Sequence, residues 1–169
     1  IRGTAKILYL MYVCFTAAEI IFLLLGKMSL FDSVVHSFGT AGTGGFGIKA
    51  DSLGSYSPYI QWVIAIFMML FGINFNLYYL VIVGKFRSAL KSAEMWTYFA
   101  IIAVSTALVT FNILSLFPNF GTALRHGFFQ VISIITTTGY ATADFNLWPE
   151  FSKSILFLIM FIGGCAGST

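Results

Sequence analysis

Charge is what this sequence has least of: nine basic and six acidic side chains in 169 residues, 9% of the chain. Soluble domains carry about a quarter charged residues, so this supply cannot cover a folded unit of such size with water-compatible groups. The expected solvent is lipid. The net charge of +3 comes from scattered residues on an apolar background, which excludes the basic face of a nucleic-acid binder. Cysteine is almost as scarce. Cys14 and Cys165 both sit inside apolar runs, without the spacing of a disulfide framework or a metal site, and read as small packing residues. With no Ser-His-Asp set, phosphate-binding loop or metal cluster, the sequence does not read as an enzyme, and no covalent cofactor is expected. Ile1 opens the chain and the last residues run off an apolar stretch, so a piece of a longer protein is expected, with no signal peptide.

What is abundant is apolar surface, 59% of residues with a mean hydropathy of +0.92. A helix crosses the hydrocarbon core with about 20 residues, and four runs approach that length. They are Ala5–Leu25, Tyr59–Val83, Trp96–Phe117 closed by Pro118, and a fourth from Phe151 that is cut off at Thr169. Lys85, Arg87 and Lys91 crowd the loop after the second run, while Arg2 and Lys6 open the first; by the positive-inside bias these ends face the cytoplasm. Residues 26–58 and 118–149 then lie on the outer side. Trp62, Trp96 and Trp148 fall near run ends, where interfacial anchors belong.

Setting Gly45 over Gly139 brings the two outer connections into correspondence, each reading span, short amphipathic segment, Thr-X-Gly-aromatic, span. The segments Phe31–Ala41 and Gly121–Ile135 are too short or too interrupted to cross, yet apolar enough to be buried. They read as re-entrant half-helices, whose irregular continuation survives at membrane depth only where it packs in protein or lines a wet cavity. A loop of Gly, Thr and one aromatic, without carboxylate, offers neutral oxygens. That suits a large monovalent cation, whereas calcium or magnesium sites recruit Asp or Glu. Because each half-helix precedes its loop, its partial negative end faces the loop and favours a cation. Two tight turns packed between helices would leave the same composition, since Gly and Thr are common in membrane helix contacts.

Three stretches carry a family resemblance: His-Ser-Phe-Gly-Thr-Ala-Gly-Thr-Gly-Gly-Phe-Gly at 36–47, Ser-Ile-Ile-Thr-Thr-Thr-Gly-Tyr at 133–140, and Gly-Gly-Cys-Ala-Gly-Ser-Thr at 163–169. Here the sequence resembles the Trk/Ktr superfamily of potassium transporters, most closely its TrkH-type membrane subunit. The resemblance implies an all-α polytopic membrane protein of the plasma membrane (the bacterial inner membrane), built from helix–pore loop–helix repeats related to the potassium-channel pore. Residues 1–90 would be the second of four repeats and 91–169 the third, truncated within its last helix. It further implies that Gly45 and Gly139 are filter glycines, and that carbonyls around Thr43, Gly44 and Phe46, and around Thr137, Thr138 and Tyr140, line a potassium path. Gly163, Gly164, Cys165, Ala166, Gly167, Ser168 and Thr169 would open a gating loop, although Gly163 and Gly167 also have the spacing of a helix-packing face. A homodimer in the lipid bilayer and a cytoplasmic nucleotide-binding regulatory subunit are likewise implied.

Other polar residues read less sharply. Glu19 lies within the first run, where a charge is expensive, and a pore-helix amide or a lysine is the expected partner. Asn74 and Asn76, two positions apart, cannot share one helix face. His36 and His126 lack ligand partners and read as capping or packing residues. Asp51 and Asp144 follow the filter glycines and would place negative charge at an outer mouth, against Lys49 and Arg125. Two rival classes stay open beside the pore: a secondary transporter with broken helices, and a scaffold in which the glycines only allow close packing. Passive flow and coupled symport are not distinguished.

Overall fold

The structure, a computed structural model, describes residues 2–168. Among these residues eight α-helices follow one another: α1 (Arg2–Leu25), α2 (Leu30–Ala41), α3 (Pro58–Phe71), α4 (Phe75–Ile82), α5 (Phe86–Leu90), α6 (Ala93–Ile113), α7 (Phe120–Ile135) and α8 (Glu150–Ile159). No strand occurs among the described residues. Helix starts follow the capping rules: Ser29, Ser57, Ser92 and Asn119 each accept an amide of the first turn, and Pro58 sits in the first turn of α3, where its missing N–H costs nothing. The helices assemble as two similar groups. In the first, α1 packs on the short helix α2 and on α3; in the second, α6 packs on the short helix α7 and on α8, while α3 against α7 joins the groups.

Among the described residues two helices are long and apolar enough to cross a membrane, Arg2–Leu25 and the α6 helix with its 3-10 extension to Leu116. The expected second span, Tyr59–Val83, is not continuous. It breaks at Gly72–Asn74, and α3 and α4 meet at 85°. The cause is tertiary. A Cβ on Gly72 would meet the Tyr98 hydroxyl at 2.3 Å and Thr136 at 2.8 Å, so α6 and the end of α7 press directly on this backbone. Carbonyls freed at the end of α3 find distant partners: Met69 takes the Tyr98 hydroxyl, Leu70 the Tyr78 hydroxyl and Gly72 the Cys165 amide. Asn74 then caps α4 by accepting the Asn76 amide. These two asparagines are cap and first turn rather than positions along one long helix.

The fourth run also stops early. The ten residues of α8 span about 15 Å, after which residues 160–168 form turns around the left-handed Gly163 (φ 72°) and Gly167 (φ 78°). Two tryptophans behave differently from one another. Trp96 stays exposed and donates to the Leu90 carbonyl, whereas Trp148 is buried with Val109, Ile113, Val131 and Leu156. The core of the second group claims Trp148, which is therefore no interfacial anchor. Glu19 takes neither an amide nor a lysine: it is fully buried, with the Thr40 side chain beside its carboxylate.

Candidate functional site

The half-helices α2 and α7 end in loops with one hydrogen-bond pattern. Gly42 donates to Phe38 and Thr43 to Thr40; correspondingly, Thr136 donates to Ile132 and Thr137 to Ile134. The amides of Gly44 and Gly45 both return to the Gly39 carbonyl, at 2.8 and 3.3 Å, as those of Thr138 and Gly139 return to Ser133, at 2.9 and 3.2 Å. A trans peptide holds its C=O opposite its N–H, and no cis peptide bond is found among the described residues. The carbonyls of Thr43, Gly44, Thr137 and Thr138 therefore point away from the half-helices. No hydrogen bond among the described residues occupies them, nor those of Gly45 and Gly139.

Glycine supplies only half of the required backbone freedom. Gly45 (φ 67°) and Gly139 (φ 91°) are left-handed, but so are Thr43 (φ 49°) and Thr137 (φ 59°). A β-branched residue there is an outlier costing about 1–2 kcal/mol, held in place by the amide pairs beside it. The loops also touch. A Cβ on Gly45 would lie 2.0 Å from the Thr138 carbonyl oxygen, whereas one on Gly139 would meet nothing within 4 Å. That open flank borders a cavity of about 260 Å³ lined by Ser133, Ile134, Thr137, Gly139 and Met160.

The aromatic position after each glycine differs from its neighbours. The Tyr140 carbonyl accepts the Ser133 hydroxyl at 2.6 Å and the Phe46 carbonyl faces the Tyr140 hydroxyl at 3.5 Å, so neither is free. The fully buried Tyr140 phenol also donates to the His36 carbonyl at 3.2 Å and lies against Gly39. Tyr140 thus braces the back of the other loop. Beyond the loops, Asp51 and Asp144 line one basin of about 380 Å³ with Ser52, Gly54 and Thr142. Its walls are joined by the Leu53 amide on the Ala141 carbonyl and the Ala141 amide on the Ser52 hydroxyl. Lys49 is turned over the Tyr56 ring, 4.2 Å from its centre, and donates to Ser55, which donates to Asp51. The Tyr56 hydroxyl donates to Asp32, and burial, then that carboxylate, push its pKa up to about 12. His126 contacts the Thr142 hydroxyl at 2.7 Å and His36 the Asp32 carbonyl, both as packing residues; no cluster able to hold a metal through His, Cys, Asp or Glu occurs among the described residues.

Residues 163–168 dock on the break between α3 and α4. Cys165 donates to the Gly72 carbonyl at 3.0 Å, Phe75 donates to the Gly167 carbonyl at 3.1 Å, and the Ala166 amide donates to a Glu94 carboxylate oxygen at 2.6 Å. Thr169 lies outside the described residues.

A family model described as "TrkH: Cation transport protein" matches residues 1–115 and 95–169, which together span the chain. The chain belongs to the TrkH family. It is 35% identical over 175 aligned positions to the Trk system potassium uptake protein TrkH of Salmonella typhimurium, covering all of this chain and 36% of that protein. The Trk system potassium uptake protein TrkG of Escherichia coli is 33% identical, with the same coverage. Among solved structures, the crystal structure of the potassium transporter TrkH from Vibrio parahaemolyticus superposes with a TM-score of 0.92 at 30% identity, over 99% of this chain and 37% of that one. The chain thus spans just over a third of the length of these relatives. All are named for transport and none for catalysis. This TrkH-family chain is an all-α, multi-pass protein of the plasma membrane with broken helices.

Sequence reasoning missed three residues of the TrkH-family site. Nothing in the local sequence singles out Gly72 or Glu94, and Asn74 reads as a polar residue within a span rather than as the cap of α4. The Ala166 amide that Glu94 accepts is 72 residues away.

Proposed function

We propose that this chain forms two pore repeats, residues 1–90 and 91–169, of a potassium uptake protein, and that four such repeats surround one pore. The observation that carries the reading is the pair of abutting loops whose free carbonyls, at Thr43 and Gly44 and at Thr137 and Thr138, point away from their half-helices. Such neutral oxygens replace the water of a weakly hydrated cation, and the names of the relatives supply potassium as that cation. Phe46 and Tyr140 close the outer ends. The open flank of Gly139 is where the next repeat would abut. Asp51 and Asp144 would concentrate cations at the mouth, and the turns from Gly163 would obstruct the inner side. A homodimer and a nucleotide-binding cytoplasmic subunit belong to the same proposal through family resemblance.

The test is rubidium and potassium uptake into liposomes holding the full-length protein, comparing wild type with Gly139→Ser at matched amounts of folded protein. Potassium flux over sodium that the substitution erodes supports the filter. Unchanged selectivity would make the loops packing turns, as in a scaffold, and competition by an organic solute would favour a secondary transporter. Repeating uptake under an imposed proton or sodium gradient separates coupled symport from passive flow.

A further inference from the structure

We infer that Glu94, in the first turn of α6, is the positioning residue that holds the 163–168 turns closed against the α3–α4 break. The inference rests on the gate proposed above. Three hydrogen bonds pin these turns at successive positions, 165, 166 and 167, and two of them run between backbone atoms. Only the contact from the Ala166 amide to Glu94 depends on a side chain, and it is the shortest of the three at 2.6 Å. It is also charge-assisted, which makes it stronger than an ordinary amide bond.

The surroundings suit a releasable contact. Gly163 and Gly167, both left-handed, bracket the turns as hinges, and Phe161 and Ile162 before them are exposed. Segments with so few buried apolar contacts open locally at low cost. A released Glu94 still has a favourable place, because it sits at the N-terminus of α6, where the helix dipole and water stabilise a carboxylate. Opening breaks three hydrogen bonds, and the one to Glu94 is the one a side chain controls. Glu94 also follows closely on the charged linker bearing Lys85, Arg87 and Lys91, and that linker is tied to α6 by Trp96 donating to the Leu90 carbonyl at 2.7 Å. A displacement of the linker would reach the turns through Glu94.

Cys165 supplies a native reporter: its side chain is buried and its amide is bonded to Gly72. The experiment measures modification of Cys165 by a water-soluble thiol reagent, read by peptide mass spectrometry, in liposomes holding the full-length protein. Loss of a charge-assisted hydrogen bond at an exposed site predicts labelling about threefold to tenfold faster in Glu94→Ala, with Glu94→Gln, which keeps an acceptor oxygen, in between. Rubidium flux should rise in the same order with potassium-over-sodium selectivity unchanged, which a general loss of structure would not produce. Wild-type labelling in Glu94→Ala overturns the inference. If that variant does not assemble, Glu94→Asp, which withdraws the carboxylate by one methylene, is read by the same criterion. Shortening residues 163–168 tests the gate separately: flux unchanged by shortening removes the gate, whereas the labelling result still decides whether Glu94 holds the turns.

Discussion

The two loops that follow α2 and α7 share one backbone trace and are held by different atoms. Around the second, side chains of its own half-helix do the bracing: Ser133 holds the Tyr140 carbonyl, and the hydroxyls of Thr136 and Thr138 meet at 2.9 Å. In the first, the counterpart of Ser133 is Gly39, and the bracing comes from outside, through the Tyr140 phenol on the His36 and Phe46 carbonyls. Exposure follows the same division, with Tyr140 at 0% and its counterpart Phe46 at 81%. The second loop is self-supporting and the first leans on it. A repeated fold thus retains its main-chain pattern while its side chains specialise.

The largest effect is expected at the left-handed glycines of the two loops, Gly45 and Gly139. A Cβ at Gly45 meets the Thr138 carbonyl at 2.0 Å in a left-handed backbone, so Gly45→Ala should cost on the order of 3 kcal/mol or more and abolish potassium flux. In the isolated chain, Gly139→Ala carries only the backbone strain, about 1 kcal/mol. In the full-length protein the four-repeat reading places another loop on that flank, so thermal unfolding should show both variants severely lowered. A mild Gly139→Ala there would break the ring arrangement.

Next in size is Gly39→Ala, whose methyl would sit 2.2 Å from the Tyr140 hydroxyl; roughly 2 kcal/mol is expected from the forced displacement. Adding Tyr140→Phe removes the crowding oxygen, so the double variant should be less damaged than the two singles together. Additive melting shifts would mean that the phenol does not brace the first loop. Ser133→Ala strips a buried donor from the Tyr140 carbonyl and should cost about 1.5 kcal/mol, confined to the second loop. Tyr140→Phe alone gives up two longer bonds and should cost about 1 kcal/mol or less. Its clearer readout is weaker selectivity of rubidium over sodium uptake.

What could be read beforehand followed from local pattern. Half-helices too short to cross, and the Thr-X-Gly turns after them, are visible within a dozen residues of sequence. The break at Gly72–Asn74 is not, because the run from Tyr59 to Val83 is apolar but for Gln61, Asn74 and Asn76; the kink depends on Tyr98, Thr136 and Cys165, which are distant in sequence. Tyr140 was read only for its carbonyl, and its phenol matters because a glycine in the other loop leaves room for it. Trp148 illustrates the same limit. A tryptophan beside Pro149 looks interfacial until the fold surrounds it with α6, α7 and α8.

The brace from Tyr140 to His36 also sets an order of events during biogenesis. These residues are 104 apart in the chain, and at about 5–20 residues per second a ribosome needs roughly 5 to 20 s to travel between them. Until then α2 waits in the membrane with its loop propped from one side only. The first of the two helix groups is thus inserted early and completed late, the geometry of its loop settled by a residue made long after its own last atom.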